Sequence, residues 1–118
     1  MTEVLINKEN STIILTLNRE RVLNALNLNM VRIISENISS WNDDDSISGI
    51  LLRGAGEKAF CAGGDVAQLY HRGIADDLKY INNFWKDEYR LNAMIANYPK
   101  PYIAFMNGYN MGGGVGIS

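Results

Sequence analysis

An α/β fold is predicted for this 118-residue chain by three observations. Apolar residues alternate in short runs near the amino terminus. Two longer stretches carry them at helical spacing. Two glycine-rich loops each follow a run that reads as a strand and precede one that reads as a helix.

Val4 and Ile6 alternate with polar neighbours. Ile13, Leu15 and Leu17 repeat the pattern after a turn-like Lys8-Glu9-Asn10, so residues 3–17 read as a hairpin. Asn18 to Asn27 has no clear period and reads as a loop. Met30, Ile34, Ile38 and Trp41 then recur at helical spacing, flanked by Val31 and Ile33, with Asn27 or Asn29 placed to cap the helix. Asp43-Asp44-Asp45 closes it in solvent. Ile47 and Ile50-Leu51-Leu52 form the short apolar run of a buried strand. Gly54, Gly56, Gly63 and Gly64 punctuate a loop that ends at Asp65. The best helix is predicted over Asp76–Asn97. Leu78, Ile81, Phe84, Trp85, Leu91 and Ile95 share one face; Lys79, Asn83, Lys86 and Arg90 share the other. Pro99 and Pro101 stop it. Tyr102–Met106 reads as a strand, Asn107-Gly108 as a turn, and the glycine run from Met111 as the opening of a last helix. Such a helix has too little length by Ser118 to bury an apolar face. The sequence is therefore expected to be a fragment of a longer protein.

Charged residues make up 20% of the chain and the net charge is −2. No basic face is available to neutralise phosphates, which argues against nucleic acid as a partner. No apolar run approaches the ~20 residues of a membrane span. The single cysteine, Cys61, rules out an internal disulfide and fits a reducing compartment. Residues 1–10 carry no signal or transit pattern, so the expected location is the cytoplasm.

The glycine loops are the first candidates for chemistry. One is Cys61-Ala62-Gly63-Gly64-Asp65, the other Met111-Gly112-Gly113-Gly114-Val115-Gly116. Glycine lets backbone approach a ligand closely. The first N–H groups of a helix have no intrahelical partner and sit at the positive end of its dipole. Two such ends facing each other can hold one oxyanion, worth about 2.7–4 kcal/mol per donor. Either loop alone reads more simply as a tight turn; together, after successive strands, they favour a site. Neither has the P-loop pattern, and the second lacks dinucleotide-binding spacing. The second candidate is Glu88, a carboxylate at the centre of the apolar face between Trp85 and Leu91, with Asn92 one turn later. Burial there is costly and raises its pKa, which suits an acid–base or substrate-binding group; a buried carboxylate satisfied by an amide or an arginine is the plainer alternative. Nothing brings His71 to Cys61, so Cys61 reads as a small packing residue and His71 as a surface residue. His71 and the nearby aspartates lack metal-ligand spacing, and no metal is expected.

Asn18-Arg19, Ala25-Leu26-Asn27, the run Lys58 to Asp65, Lys100-Pro101, Asn107-Gly108 and Met111-Gly112-Gly113-Gly114 together resemble the crotonase (enoyl-CoA hydratase/isomerase) superfamily. The resemblance implies a crotonase-like spiral of ββα units, incomplete in this chain, with residues 1–118 as the amino-terminal half of the domain. It implies an acyl-CoA thioester as substrate, no cofactor beyond the coenzyme A that the substrate carries, and a homo-oligomer. It places the two oxyanion-hole N–H groups on Gly64 and Gly113. It places the coenzyme A contacts around Ala25, Ala62 and Gly63. Asp65 is expected to cap the helix after it. Hydratases carry a glutamate three residues after the middle glycine, where this chain has Gly116. The glycine run, with Phe84-Trp85 and Glu88-Tyr89-x-Leu91-Asn92, is instead similar to 3-hydroxyisobutyryl-CoA hydrolases, in which the residue matching Glu88 contacts the acyl part of the substrate. The implied function is thioester hydrolysis in valine breakdown, with the main catalytic glutamate beyond Ser118. Two alternatives stand beside it: another crotonase reaction, hydration or isomerisation, and a catalytically inactive fragment.

Overall fold

The computed structural model describes residues 3–65, 70–73, 78–106, 108–110 and 117. The elements run β1 (Val4–Glu9), β2 (Thr12–Leu17), α1 (Leu28–Trp41), β3 (Gly49–Gly54), β4 (Ala59–Cys61), α2 (Leu78–Ala96), β5 (Tyr102–Phe105) and β6 (Tyr109–Asn110), with a 3-10 turn at Glu20–Val22. β1 and β2 form the predicted hairpin, in register from Val4↔Leu17 to Glu9↔Thr12. Asn10 turns the chain at φ 55°, a left-handed conformation that asparagine tolerates better than most residues. β3 lies parallel to β2 and β5 parallel to β3, giving a four-stranded sheet of order β1-β2-β3-β5.

Side chains alternate across a strand, so register decides which residues meet. Ile13 lies beside Ile50 and Leu15 beside Leu52, and all four are buried. This face joins one apolar cluster with Met30, Val31, Ile34 and Ile38 of α1 and Phe84 and Leu91 of α2. Each fully buried aliphatic side chain contributes roughly 1.5–3 kcal/mol.

α1 starts where Asn27, in extended conformation, accepts a hydrogen bond from the Met30 N–H at 2.8 Å. That satisfies one of the orphan donors of the first turn. Its other end is held by Lys100, whose Nζ donates to the carbonyls of Trp41 and Asp44. A cation there meets the negative end of the helix dipole. α2 packs on α1, with an Arg32–Asp87 ion pair at 2.9 Å, and just beyond α2 the Tyr98 hydroxyl donates to the Ile38 carbonyl at 2.7 Å.

Two features differ from the sequence reading. β4 and β6 pair parallel as a second small sheet that was not foreseen. They have three and two residues, too few for an alternating pattern to show. α2 is described from Leu78, so Asp76 and Asp77 lie outside the described residues. Leu78 and Trp85 are 60% and 42% exposed rather than part of the buried face. The buried row of α2 is Phe84, Glu88 and Leu91, spaced four and three residues apart. Trp85 sits one residue around the helix, edge-on to Phe84 and stacked with Tyr89.

Candidate active site

The β4–β6 pairing organises the site. Ala59 lies opposite Tyr109 and Cys61 opposite Asn110, with the strands parallel. Parallel strands run in one direction, so Cys61 and Asn110 lie together at the same end of this small sheet. Close approach is needed here: Gly108 (φ 85°) lies against the Lys58 carbonyl, where any side chain would collide. The first loop carries Gly63 and Gly64. The chain after Asn110 leads, three residues on, to Gly113, which lies outside the described residues.

Gly64 is held in a single parallel bridge to Leu26. The bonds run from the Leu26 N–H to the Gly63 carbonyl and from the Asp65 N–H to the Leu26 carbonyl, each 2.7 Å. The flanking residues thus face Leu26, and the Gly64 N–H is turned to the opposite side. Gly63 has φ 98°, and its N–H points to the Cys61 sulfur at 3.4 Å. The Ala62 N–H donates to the Leu23 carbonyl. Ala25 is buried, and its carbonyl accepts from Arg19 Nη1 at 2.8 Å. The structure therefore brings Ala25, Ala62, Gly63 and Gly64 together through the loop that follows β2.

That loop is strained and pinned. Leu23 and Asn24 both have positive φ, which asparagine tolerates but which costs Leu23 roughly 1–3 kcal/mol and persists only where surroundings enforce it. Asn24 is 1% exposed and enforces it. Its side-chain carbonyl accepts from the Arg19 N–H, and its amide donates to the carbonyls of Ala55 and Ala59. Arg19 also pairs with Asp65 at 3.0 Å and with Glu3 at 3.3 Å. Asp65 was expected to cap a helix. Its next residues lie outside the described ones, and what the structure shows is the ion pair with Arg19.

Glu88 is 3% exposed, and among the described residues its Oε2 has no hydrogen-bond partner. Asn92, one turn on, has a buried Oδ1 in the same condition. Burial raises the Glu88 carboxyl above its ordinary 4.5. Buried polar atoms are almost always paired, and an unpaired acceptor marks a place where a ligand can donate. Glu88 is near the first glycine loop, because its charge adds to the rise of the Cys61 thiol. Burial is the main cause of that rise, which the Gly63 N–H opposes, and the thiol stands at about 11. Cys61 is thus a buried, protonated packing residue. His71 is exposed, with its ring edge-on to Tyr70. Among the described residues no group of three or more metal-ligating side chains comes together. Sequence reasoning singled out the loops and Glu88. It missed Asn24 as a buried post and Arg19 as a clamp, because neither lies in a periodic segment.

A family profile described as Enoyl-CoA hydratase/isomerase matches residues 12–118. Among curated proteins, the chain is 46% identical over 117 residues to the 3-hydroxyisobutyryl-CoA hydrolase, mitochondrial, of Danio rerio, and 44% identical over 116 residues to that of Homo sapiens. It covers 99% and 98% of itself in these matches and spans about 30% of the length of each relative. Among solved structures, a carnitinyl-CoA dehydratase from Mycobacterium thermoresistibile superposes with TM-score 0.93 at 50% identity, covering 98% of this chain and 34% of that one. An enoyl-CoA hydratase from Rhodobacter sphaeroides superposes with TM-score 0.94 at 42% identity, covering 99% and 35%. These relatives correct one expectation. The curated proteins are named mitochondrial, which overturns the cytoplasmic location read from the first ten residues. A location is set by leader segments, and the fold and charge of these residues carry no such signal.

Proposed function

From the premise that this chain belongs to the enoyl-CoA hydratase/isomerase family, with an incomplete crotonase-like α/β fold, we propose that it is the amino-terminal part of an acyl-CoA thioester hydrolase acting on 3-hydroxyisobutyryl-CoA. The observation that carries this reading is Glu88: a buried carboxyl with an oxygen unpartnered among the described residues, close enough to Cys61, at the end of β4, for its charge to be felt there. A substrate whose acyl part bears a hydroxyl supplies the missing donor.

The Gly64 N–H, with that of Gly113, holds the thioester carbonyl oxygen. Both donors strengthen as negative charge develops there, so they favour the transition state over the substrate. Ala25, Ala62 and Gly63 hold the coenzyme A part through backbone contacts. Glu88 orients the acyl hydroxyl or a water. In the overall reaction the oxygen of water ends on the acyl carbon, the C–S bond breaks, and the sulfur leaves with a proton as the free thiol of coenzyme A. A carboxylate outside these 118 residues moves the protons. Coenzyme A enters as part of the substrate and no separate cofactor is used. The complete protein works as a homo-oligomer, and the 118 residues alone are inactive.

Glu88→Gln in the complete enzyme tests the reading. Loss of a charged hydrogen-bond partner should lower kcat/KM about 10- to 100-fold. An unchanged kcat/KM would remove Glu88 from the site. A second reading, hydration or dehydration of an acyl-CoA, is favoured by the 50% identity to a structure named a carnitinyl-CoA dehydratase. Gly116, at the position where hydratases carry a glutamate, speaks against it.

A further inference from the structure

One guanidinium, that of Arg19, grips both chain segments that meet at Gly64. Its Nη1 donates to the Ala25 carbonyl at 2.8 Å, and its Nη2 to Asp65 Oδ2 at 3.0 Å. Its Nε lies 3.3 Å from Glu3 Oε2. The Glu3 carboxylate is held in turn by the side-chain amides of Asn27 at 2.6 Å and Asn29 at 3.0 Å. Ala25 directly precedes Leu26 and Asp65 directly follows Gly64, and Leu26 and Gly64 form the bridge. The guanidinium therefore spans the bridge from both sides.

We infer that Arg19 is a positioning residue, whose planar guanidinium clamps the Ala25 and Asp65 segments and so fixes the direction of the Gly64 N–H toward the thioester oxygen. The inference rests on the reading of Gly64 as an oxyanion donor. Three properties support it. The contacts use separate nitrogens of a rigid fork, which a lysine cannot reproduce. The Arg19 side chain is only 18% exposed, so its ion pairs are less screened than surface pairs. The clamped loop holds Leu23 and Asn24 in left-handed conformations, which relax when a restraint is lost. The direction of the Gly64 N–H is set by its chain neighbours and by the bridge to Leu26. Misplacement of a reacting group by about 1 Å costs about 100-fold in rate. The clamp also links the oxyanion donor to the segment proposed to hold coenzyme A.

The test uses the full-length enzyme and an acyl-CoA labelled with carbon-13 at the thioester carbonyl. The carbonyl stretch of the bound thioester is read by difference infrared spectroscopy, with kcat, KM and melting temperature alongside. In the wild type the stretch should fall below its solution value, because the donors polarise the carbonyl. In Arg19→Lys it should return most of the way to the solution value, with kcat down about 10- to 100-fold in a protein that still melts cooperatively. If Arg19→Lys does not fold, Asp65→Asn, which weakens the arm to Asp65 and leaves the arm to Ala25, should show a smaller shift of the same sign. A wild-type shift that survives unchanged in the folded variant overturns the role of Arg19 alone. No shift in the wild type overturns the oxyanion assignment of Gly64, and the clamp inference with it.

Discussion

Glu88 carries a proton more readily than a solvated carboxyl, and its stability effect follows with a definite sign. Its folded pKa lies above its ordinary 4.5 because burial penalises the charge. Below the unfolded value both states hold the proton, and its contribution to stability is fully present. As pH rises toward the folded value, the unfolded chain releases the proton first and stability falls, by at most about 1.4 kcal/mol per pH unit. Denaturant titrations of wild type and Glu88→Gln should therefore diverge upward from about pH 4.5, the variant gaining relative stability until Glu88 ionises in the fold. A parallel pair of curves would show that the carboxyl is solvated. Asn24 makes the opposite kind of contribution. Asn24→Ala leaves the Ala55 and Ala59 carbonyls and the Arg19 N–H without their partner, and should cost about 1–3 kcal/mol in an equilibrium unfolding measurement. Glu88 was legible in the sequence because helical spacing sets it among apolar neighbours. The Arg19–Asp65 pair was not, because its members lie 46 residues apart and only the fold brings them together.

The elements that carry a strong period were the legible ones. The hairpin and α1 appear where alternation and 3.6-residue spacing place them, β3 where the apolar run Ile50-Leu51-Leu52 does, and Asn27 caps α1 as its position allows. α1 should respond to substitution accordingly. Asn27→Ala should lower stability by about 0.5–2 kcal/mol, since it removes the cap on Met30. Ile34→Ala, in the fully buried stripe of the same helix, should cost about 2–5 kcal/mol. Chemical denaturation checks both, and a cap effect larger than the core effect would mean that α1 is not held by packing. β4 and β6 escaped prediction for a physical reason. Their position is decided by their pairing and by the Gly108 approach to Lys58, neither of which a local pattern announces. On α2 the spacing found the helix but misplaced one edge of its face, because Trp85 is large enough to remain partly exposed while covering Phe84.

At the scale of the whole molecule, the four-stranded sheet buries one face against the helices, and among the described residues its other face exposes part of its apolar side chains. Ile103 lies beside Leu51, and Leu51 beside Ile14, on the face away from α1. Ile103 and Phe105 are 60% and 61% exposed. Sheets built of parallel strands are ordinarily buried on both faces, and an uncovered apolar patch drives association. The 118 residues expressed alone should therefore elute from a sizing column as an associated species, and a compact monomer would contradict this. The relatives are about three times as long, which accords with chemistry that is only partly contained in these residues. The central claim is that the complete protein hydrolyses a hydroxylated acyl-CoA thioester with Glu88 at the acyl group. The most direct measurement is free-thiol release from 3-hydroxyisobutyryl-CoA by the full-length protein, with crotonyl-CoA assayed in parallel. Thiol release from the first, with the enoyl absorbance of the second unchanged, is the predicted result. No thiol release, with loss of the enoyl absorbance, would show a hydratase and contradict the account.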